Sequence, residues 1–169
     1  FEQPSVDAIN TALAARRPLL VRGEPGVGKS QLARAAAHVL GRAFIAFVVD
    51  SRTESRDLLW HFDAVQRLAD AQICGQMFKS FEDAQRQLSE EKYVRPGPLW
   101  WAFDWEGAAQ HAANTRVAHH KPQDWNANQG CVLLIDEIDK GESDVPNGLL
   151  EALGSHEITV PCGDPVVVK

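Results

Sequence analysis

Eight consecutive residues near the N-terminus have the types and the spacing needed to hold phosphate groups. They match the pattern G-x-x-x-x-G-K-[ST] at every fixed position. The residues run Gly23-Glu24-Pro25-Gly26-Val27-Gly28-Lys29-Ser30. The glycines let the chain wrap closely, so that backbone N–H groups from about Gly26 to Ser30 converge on phosphate oxygens. The pattern predicts that Lys29 reaches the β- and γ-phosphates of a nucleotide and that the Ser30 hydroxyl ligates Mg²⁺. The next residue, Gln31, lies where the positive N-terminal end of a helix is expected, and we include it in the predicted nucleotide-binding set.

A second chemical pattern is an apolar run, Cys131 to Ile135, that ends in two carboxylates. A buried parallel strand delivers the residues after it to the carboxyl edge of its sheet, where a phosphate loop also lies. We therefore expect Asp136 to hold Mg²⁺ through water beside Ser30, and Glu137 to orient or deprotonate an attacking water. Glu137 and Lys29 are the predicted catalytic residues. Without the loop, such a run is equally typical of an ordinary strand that ends in a charged turn.

The elements that must position these residues follow from hydrophobic periodicity and from turn residues. The predicted order of elements is strand, helix, strand, a long polar segment, strand and helix. This order is typical of an α/β fold with a parallel sheet covered by helices. The predicted strands are Leu19–Val21, Phe44–Val49 and Cys131–Ile135, with a hairpin over His156–Lys169. The predicted helices are 4–17, Ser30–Leu40 ending at Gly41, Glu54–Ala71, Ser80–Glu91, Leu99 to about Ala113, and a short one around Leu149–Leu153.

Length and composition are those of a globular domain. The chain has 169 residues, of which 44% are hydrophobic and 24% charged, so disorder and low-complexity repeats are excluded as descriptions of the whole chain. No apolar run approaches the roughly 20 residues that span a bilayer, and no secretory signal is visible. The three cysteines lack CxxC spacing, which indicates reduced thiols in a cytoplasmic protein. The net charge of −6 argues against a protein whose whole surface binds nucleic acid, and it leaves a local basic patch open.

Taken together, these motifs resemble an AAA+ ATPase, and within that superfamily the MoxR and dynein-related branch. Three stretches carry the resemblance: Arg22 to Ser30 with its helix, Tyr93 to Leu99, and Leu133 to Leu153. The second is similar to the aromatic-x-x-Gly-Pro segment that closes an insert in helix 2. The third is similar to the run of Asp-Glu, a short linker and Val-x-Asn-x-Leu-Leu-Glu. The resemblance covers most of residues 5–63 and 93–169.

The resemblance implies a P-loop NTPase fold, a three-layer α/β/α parallel sheet with strand order 5-1-4-3-2. It makes residues 1–169 a nucleotide-binding core with an insert-bearing region at 64–130 and the hairpin that precedes the sensor 1 strand. In the family, sensor 1, the arginine finger and the helical lid follow that hairpin. We therefore expect them beyond Lys169, and expect the core to be incomplete.

The activity implied is Mg-dependent ATP hydrolysis, weak or absent in a fragment, by a chaperone-like remodelling ATPase. The implied partners are further copies in a ring, commonly a hexamer, a protein client and a von Willebrand A-domain protein. Two alternatives stay open. One is a nucleic-acid-linked or restriction-associated ATPase, against which the acidic charge balance counts. The other is a nucleotide-binding switch without appreciable turnover.

Several weaker features have competing interpretations. The cluster of Trp100, Trp101, Phe103 and Trp105 is typical of core packing, with a partner contact as the alternative. His111 with His119-His120 lacks the spacing of a metal site and indicates a solvated loop.

Two further patterns concern nucleotides. Arg52 and Arg56 could face a neighbouring subunit's nucleotide or a central pore, but a surface helix start explains them more simply. Asp104 to Gly107 matches the D-x-x-G of GTPases, and we reject that interpretation because no guanine-reading motif accompanies it.

Overall fold

The computed structural model describes residues 2–74, 80–116 and 130–168, the side chain of Cys74 excepted. These residues fall into two compact units. Of the described residues, the first unit comprises 2–48 and 130–136, and the second comprises 49–74, 80–116 and 137–168. His119 and His120 lie outside the described residues.

The first unit is a parallel pair of strands with helices. Its elements are α1 (Gln3–Ala15), α2 (Lys29–Leu40), β1 (Ala43–Val48) and β4 (Cys131–Asp136). β1 and β4 pair in parallel, in a register that runs from Ala43 opposite Cys131 to Val48 opposite Asp136. α2 packs against both strands, and Gly41 ends it in the left-handed conformation with φ of 62°. The predicted helices at 4–17 and Ser30–Leu40 and the two strands are confirmed.

The predicted strand at Leu19–Val21 is wrong. These residues form irregular chain, and the side chains of Leu19, Leu20 and Val21 are 42%, 65% and 41% exposed. A strand persists only where neighbouring backbone satisfies its N–H and C=O groups. In the described part of the chain β1 and β4 pair with one another, and neither of them pairs with this segment. An apolar run is therefore insufficient to make a strand.

The second unit contains the remaining elements. They are α3 (Ser55–Leu59), β2 (Trp60–Phe62), α4 (Ala64–Cys74), α5 (Phe81–Gln87), a 3₁₀ helix (Glu90–Tyr93), β3 (Val94–Pro96), α6 (Pro98–Phe103), α7 (Trp105–Asn114), a second 3₁₀ helix (Ile138–Lys140), α8 (Asp144–Ser155), β5 (Glu157–Ile158) and β6 (Val166–Val167). α8 contains the predicted short helix. The antiparallel pair β5–β6 confirms the predicted hairpin.

Three predicted helices are shorter than expected or divided. The helix expected over Glu54–Ala71 breaks at β2, because Trp60–Phe62 pairs with β3 in an antiparallel ladder. The helix expected over Ser80–Glu91 ends at Gln87, and Ser80 caps it by accepting a hydrogen bond from the Asp83 N–H at 3.1 Å. The helix expected from Leu99 to about Ala113 is two helices that meet at Asp104.

Asp104 explains the D-x-x-G pattern. Its carboxylate accepts a hydrogen bond from the Gly107 N–H at 3.0 Å, which makes it the N-cap of α7. The pattern is a helix-capping arrangement, in agreement with rejecting the GTPase interpretation.

The tryptophan cluster forms part of the core of the second unit. Trp100 and Trp101 are each 5% exposed and Phe103 is 7% exposed, and Trp105 meets Trp101 edge to face at 4.8 Å between ring centroids. Within the same unit, the indole N–H of Trp60 donates a hydrogen bond to the Thr159 carbonyl at 3.2 Å, which links β2 to the hairpin. The packing interpretation is confirmed for the three buried rings.

A buried polar contact links the 3₁₀ helix at 90–93 to α4. The wholly buried Tyr93 donates from its hydroxyl to Asp70 Oδ2 at 2.9 Å, and Arg116 approaches the same oxygen at 3.5 Å. The Tyr93 hydrogen bond, with help from Gln66 and Arg116, holds the pKa of Asp70 below its usual range. Burial raises the pKa of Tyr93. Sequence reasoning missed this contact, because residues 23 positions apart carry no joint pattern.

Replacing Gly97 by alanine is expected to destabilise the second unit. A Cβ at Gly97 would lie 2.7 Å from the Leu59 carbonyl carbon and 2.8 Å from two backbone oxygens, so backbone must shift. We expect Gly97→Ala to lower the free energy of unfolding by about 1–3 kcal/mol, measured by urea titration. Gly154→Ala in α8 is the control, since no atom lies within 4 Å of its Cβ position, and it should be neutral or stabilising. Equal stabilities of the two variants would contradict the close approach.

Replacing Tyr93 by phenylalanine is expected to destabilise the protein in a pH-dependent way. Because the pKa of Asp70 is lowered in the folded state, its contribution is present above the ordinary carboxyl pKa and is lost as the pH falls. At neutral pH the loss should be roughly 1.5 kcal/mol, typical of a hydrogen bond to a charged group. Urea unfolding between about pH 2.5 and pH 7 should show the difference shrinking towards low pH. A constant difference would mean that the ionised Asp70 is not the partner.

Candidate functional site

The predicted phosphate loop lies immediately before α2 and depends on two glycines with positive φ. Gly26 has φ of 82° and Gly28 has φ of 88°, and Gly28 directly precedes the first residue of α2. A residue with a Cβ is disfavoured there by roughly 1–2 kcal/mol. No heavy atom lies within 4 Å of a Cβ built at either position. The glycines are therefore required by backbone conformation, and the space beside them is open.

The N-terminal end of α2 is available to an anion. The first N–H groups of a helix have no partner within the helix and carry partial positive charge. The first turn of α2, all of whose residues are described, holds Lys29, Ser30 and Gln31 and no acidic side chain. A loop that exposes these donors next to open space suits phosphate oxygens.

Lys29 folds back over the loop. Its ammonium donates hydrogen bonds to the Gly23 carbonyl at 2.9 Å and to the Glu24 carbonyl at 2.7 Å. Glu24, Pro25 and Val27 are exposed on the loop surface. Because the partners of Lys29 are neutral carbonyls, a charged phosphate can compete for the ammonium.

Ser30 and Asp136 are brought together from opposite ends of the unit. The Ser30 hydroxyl at the start of α2 donates to Asp136 Oδ2 at the end of β4, with 2.6 Å between the oxygens across 106 positions of sequence. Both residues are half-buried. Hydroxyl and carboxylate oxygens are hard ligands, and Mg²⁺ is commonly bound by one or two protein oxygens together with substrate phosphates. The donor set therefore fits Mg²⁺.

Glu137 begins the second unit and is described within it. Its backbone is left-handed, with φ of 59° and ψ of 33°. Its carboxylate Oε2 lies 2.7 Å from the Lys140 ammonium. The sequence predicted that Glu137 lies just after a strand, but it did not predict the ion pair with Lys140.

Comparison with known proteins decides the family. Residues 18–169 match the AAA domain of the dynein-related subfamily. This chain is an AAA domain. A stretch of 51 residues is 41% identical to Midasin of Giardia intestinalis and covers 30% of this chain and 1% of that protein. No solved structure matches.

Membership confirms the broader part of the resemblance. The P-loop NTPase α/β fold and the dynein-related AAA family are established for this AAA domain, while the MoxR placement stays a prediction. In the described part of the chain, no helix is long and apolar enough to cross a membrane.

The weaker histidine and arginine features have structural roles in this AAA domain. His111 Nε2 lies 3.0 Å from the Val94 carbonyl, and its ring packs on Trp100 at 4.8 Å between centroids. Among residues 2–74, 80–116 and 130–168, no cluster of His, Cys, Asp and Glu could hold a metal ion by itself. Arg56, in the first turn of α3, pairs with Glu54 at 3.2 Å and lies over the Trp60 ring at 5.5 Å. This agrees with a surface helix start.

Proposed function

We propose that this AAA domain binds Mg·ATP at the phosphate loop and hydrolyses it. The observation that carries the proposal is the 2.6 Å contact between Ser30 Oγ and Asp136 Oδ2 beside a lysine-bearing loop. The proposed nucleotide-binding residues are Gly23, Glu24, Pro25, Gly26, Val27, Gly28, Lys29, Ser30 and Gln31. Ser30 and Asp136 are the residues that would hold Mg²⁺.

The binding role of the loop follows from its donors. Phosphate oxygens would replace the Gly23 and Glu24 carbonyls as partners of the Lys29 ammonium, because an ionised acceptor makes a stronger hydrogen bond than a neutral one. The N–H groups of the first turn of α2 would contact the same phosphates. Mg²⁺, when bound, supplies positive charge that neutralises phosphate oxygens.

Hydrolysis needs a carboxylate that orients water, and Glu137 is our candidate. It follows Asp136 directly in the chain. As a general base it would accept a proton from the water whose oxygen bonds to the γ-phosphorus, while the bond to the bridging oxygen breaks and ADP leaves.

The wider role that we propose is energy-driven remodelling of a protein client, of the MoxR kind. It includes a hexameric ring, a von Willebrand A-domain partner and a cytoplasmic location. The dynein-related AAA family supports the ATP-driven part, and three cysteines without the spacing of a disulfide framework are typical of a protein in a reducing compartment. The chain spans about 1% of the length of the curated relative that it matches.

Lys29→Ala is expected to weaken binding of Mg·ATPγS at least about tenfold, because the ammonium that meets the phosphates is lost. Isothermal titration calorimetry measures the affinity. Arg17→Ala is the matched control, since it removes one exposed positive charge from the same unit. Tight nucleotide binding by Lys29→Ala would refute the phosphate-loop assignment.

Glu137→Gln is expected to leave the affinity for Mg·ATPγS near that of the parent chain while abolishing hydrolysis, because the amide cannot accept the proton of water. Release of radiolabelled phosphate under single-turnover conditions measures the rate. Glu142→Gln, an exposed acid five positions further along the chain, should hydrolyse at the parent rate. Unchanged turnover in Glu137→Gln would remove Glu137 from its proposed role.

A further inference from the structure

In the turn that follows β4, Glu137 and Lys140 make two interactions, one between their side chains and one between their backbones. The Lys140 ammonium lies 2.7 Å from Glu137 Oε2, and the Lys140 backbone N–H donates to the Glu137 carbonyl at 2.8 Å. Lys140 ends the 3₁₀ helix Ile138–Lys140, and Glu137 is the residue just before that helix. The backbone hydrogen bond closes the turn between the two residues, and the ion pair lies across the same turn.

The backbone of Glu137 is the second observation. Among the described residues, the non-glycine positions with positive φ are Arg16, Glu137 and His156. Arg16 and His156 end α1 and α8, where the left-handed conformation is usual. Glu137 instead follows a strand, and such a conformation persists only where surrounding contacts maintain it. Lys140 supplies contacts to both the carbonyl and the carboxylate of this residue.

We propose that Lys140 is a positioning residue that holds the Glu137 carboxylate in a resting position. This inference rests on the proposed role of Glu137 in hydrolysis. An ammonium at 2.7 Å takes one of the acceptor positions of the carboxylate, and the closed pair keeps the Glu137 side chain from turning towards a water molecule. Lys140 thereby restrains Glu137, and opening of the pair precedes hydrolysis.

The restraint is weak enough to open. The side chains of Lys140 and Glu137 are 57% and 44% exposed, and ion pairs with this much solvent contact contribute little free energy. The expected effect of removing Lys140 is therefore a modest gain in rate.

The first test compares Lys140→Met with Lys140→Arg, since methionine removes the charge at similar length and arginine keeps it. Under single-turnover conditions, Lys140→Met should hydrolyse ATP about threefold faster than the parent chain, with unchanged affinity for Mg·ATPγS. Lys140→Arg should retain the parent rate, and Lys140→Met should give no gain in a Glu137→Gln background. An equal or slower rate in Lys140→Met, including no hydrolysis in either chain, would overturn the restraining role.

The second test needs no hydrolysis. The side-chain carboxyl ¹³C resonance of Glu137 in the nucleotide-free chain is assigned by its loss in Glu137→Gln. It should move in Lys140→Met, stay near its position in Lys140→Arg, and remain unmoved in Lys92→Met, a control in which the lysine removed bonds to the Arg86 carbonyl. An unchanged chemical shift of this resonance in Lys140→Met would show that the ion pair does not form.

These outcomes separate the two proposals. Tight nucleotide binding by Lys29→Ala would refute the proposed function, and the resonance test would still decide whether the pair exists. Loss of binding in Lys29→Ala together with no gain in Lys140→Met would refute only the role of Lys140.

Discussion

Parallel pairing of β1 with β4 is the constraint on which the oxygen ligands of the site depend. The six residues of each strand align from Ala43 opposite Cys131 to Val48 opposite Asp136. The pairing carries Asp136 to the carboxyl edge, and α2 lies against both strands. The Ser30 hydroxyl at the start of α2 therefore reaches Asp136 at 2.6 Å. A one-residue slip of register would turn the Asp136 side chain to the other face of the sheet and break this contact.

The second unit depends on close approaches of a different kind. Gly97 lets the backbone after β3 press against the carbonyl of Leu59, and the Gly97 N–H donates to that carbonyl at 2.9 Å. Trp100 and Trp101, which follow it in α6, are buried in the core of this unit. The segment Tyr93–Leu99, which carries part of the family resemblance, is thus also a packing requirement. Its glycine is needed because a side chain has no room there.

Local chemistry made much of this molecule predictable. Periodicity, turn residues or a motif within a few consecutive residues predicted most of the elements. These are the phosphate loop, α2 with the glycine that ends it, β1, β4, α8 and the hairpin. The wrong predictions concern segments whose local sequence pattern favours one structure while their tertiary surroundings favour another. Leu19–Val21 has the composition of a strand but lacks a paired neighbour among the described residues. Trp60–Phe62 continues a helical pattern but pairs with Val94–Pro96 instead.

The sequence by itself determined the chemistry of the candidate site, because the identity and spacing of Gly26, Gly28, Lys29 and Ser30 set both the backbone conformations and the functional groups. It also determined that Asp136 and Glu137 end a strand. The two motifs also predicted that Asp136 lies beside Ser30, because a parallel strand delivers its last residues to the edge where a phosphate loop lies. Tertiary structure decided that the two side chains bond directly, at 2.6 Å. It alone decided the Tyr93–Asp70 contact, which spans 23 positions. That contact follows from packing, which depends on the whole chain and leaves no mark in any short stretch of sequence.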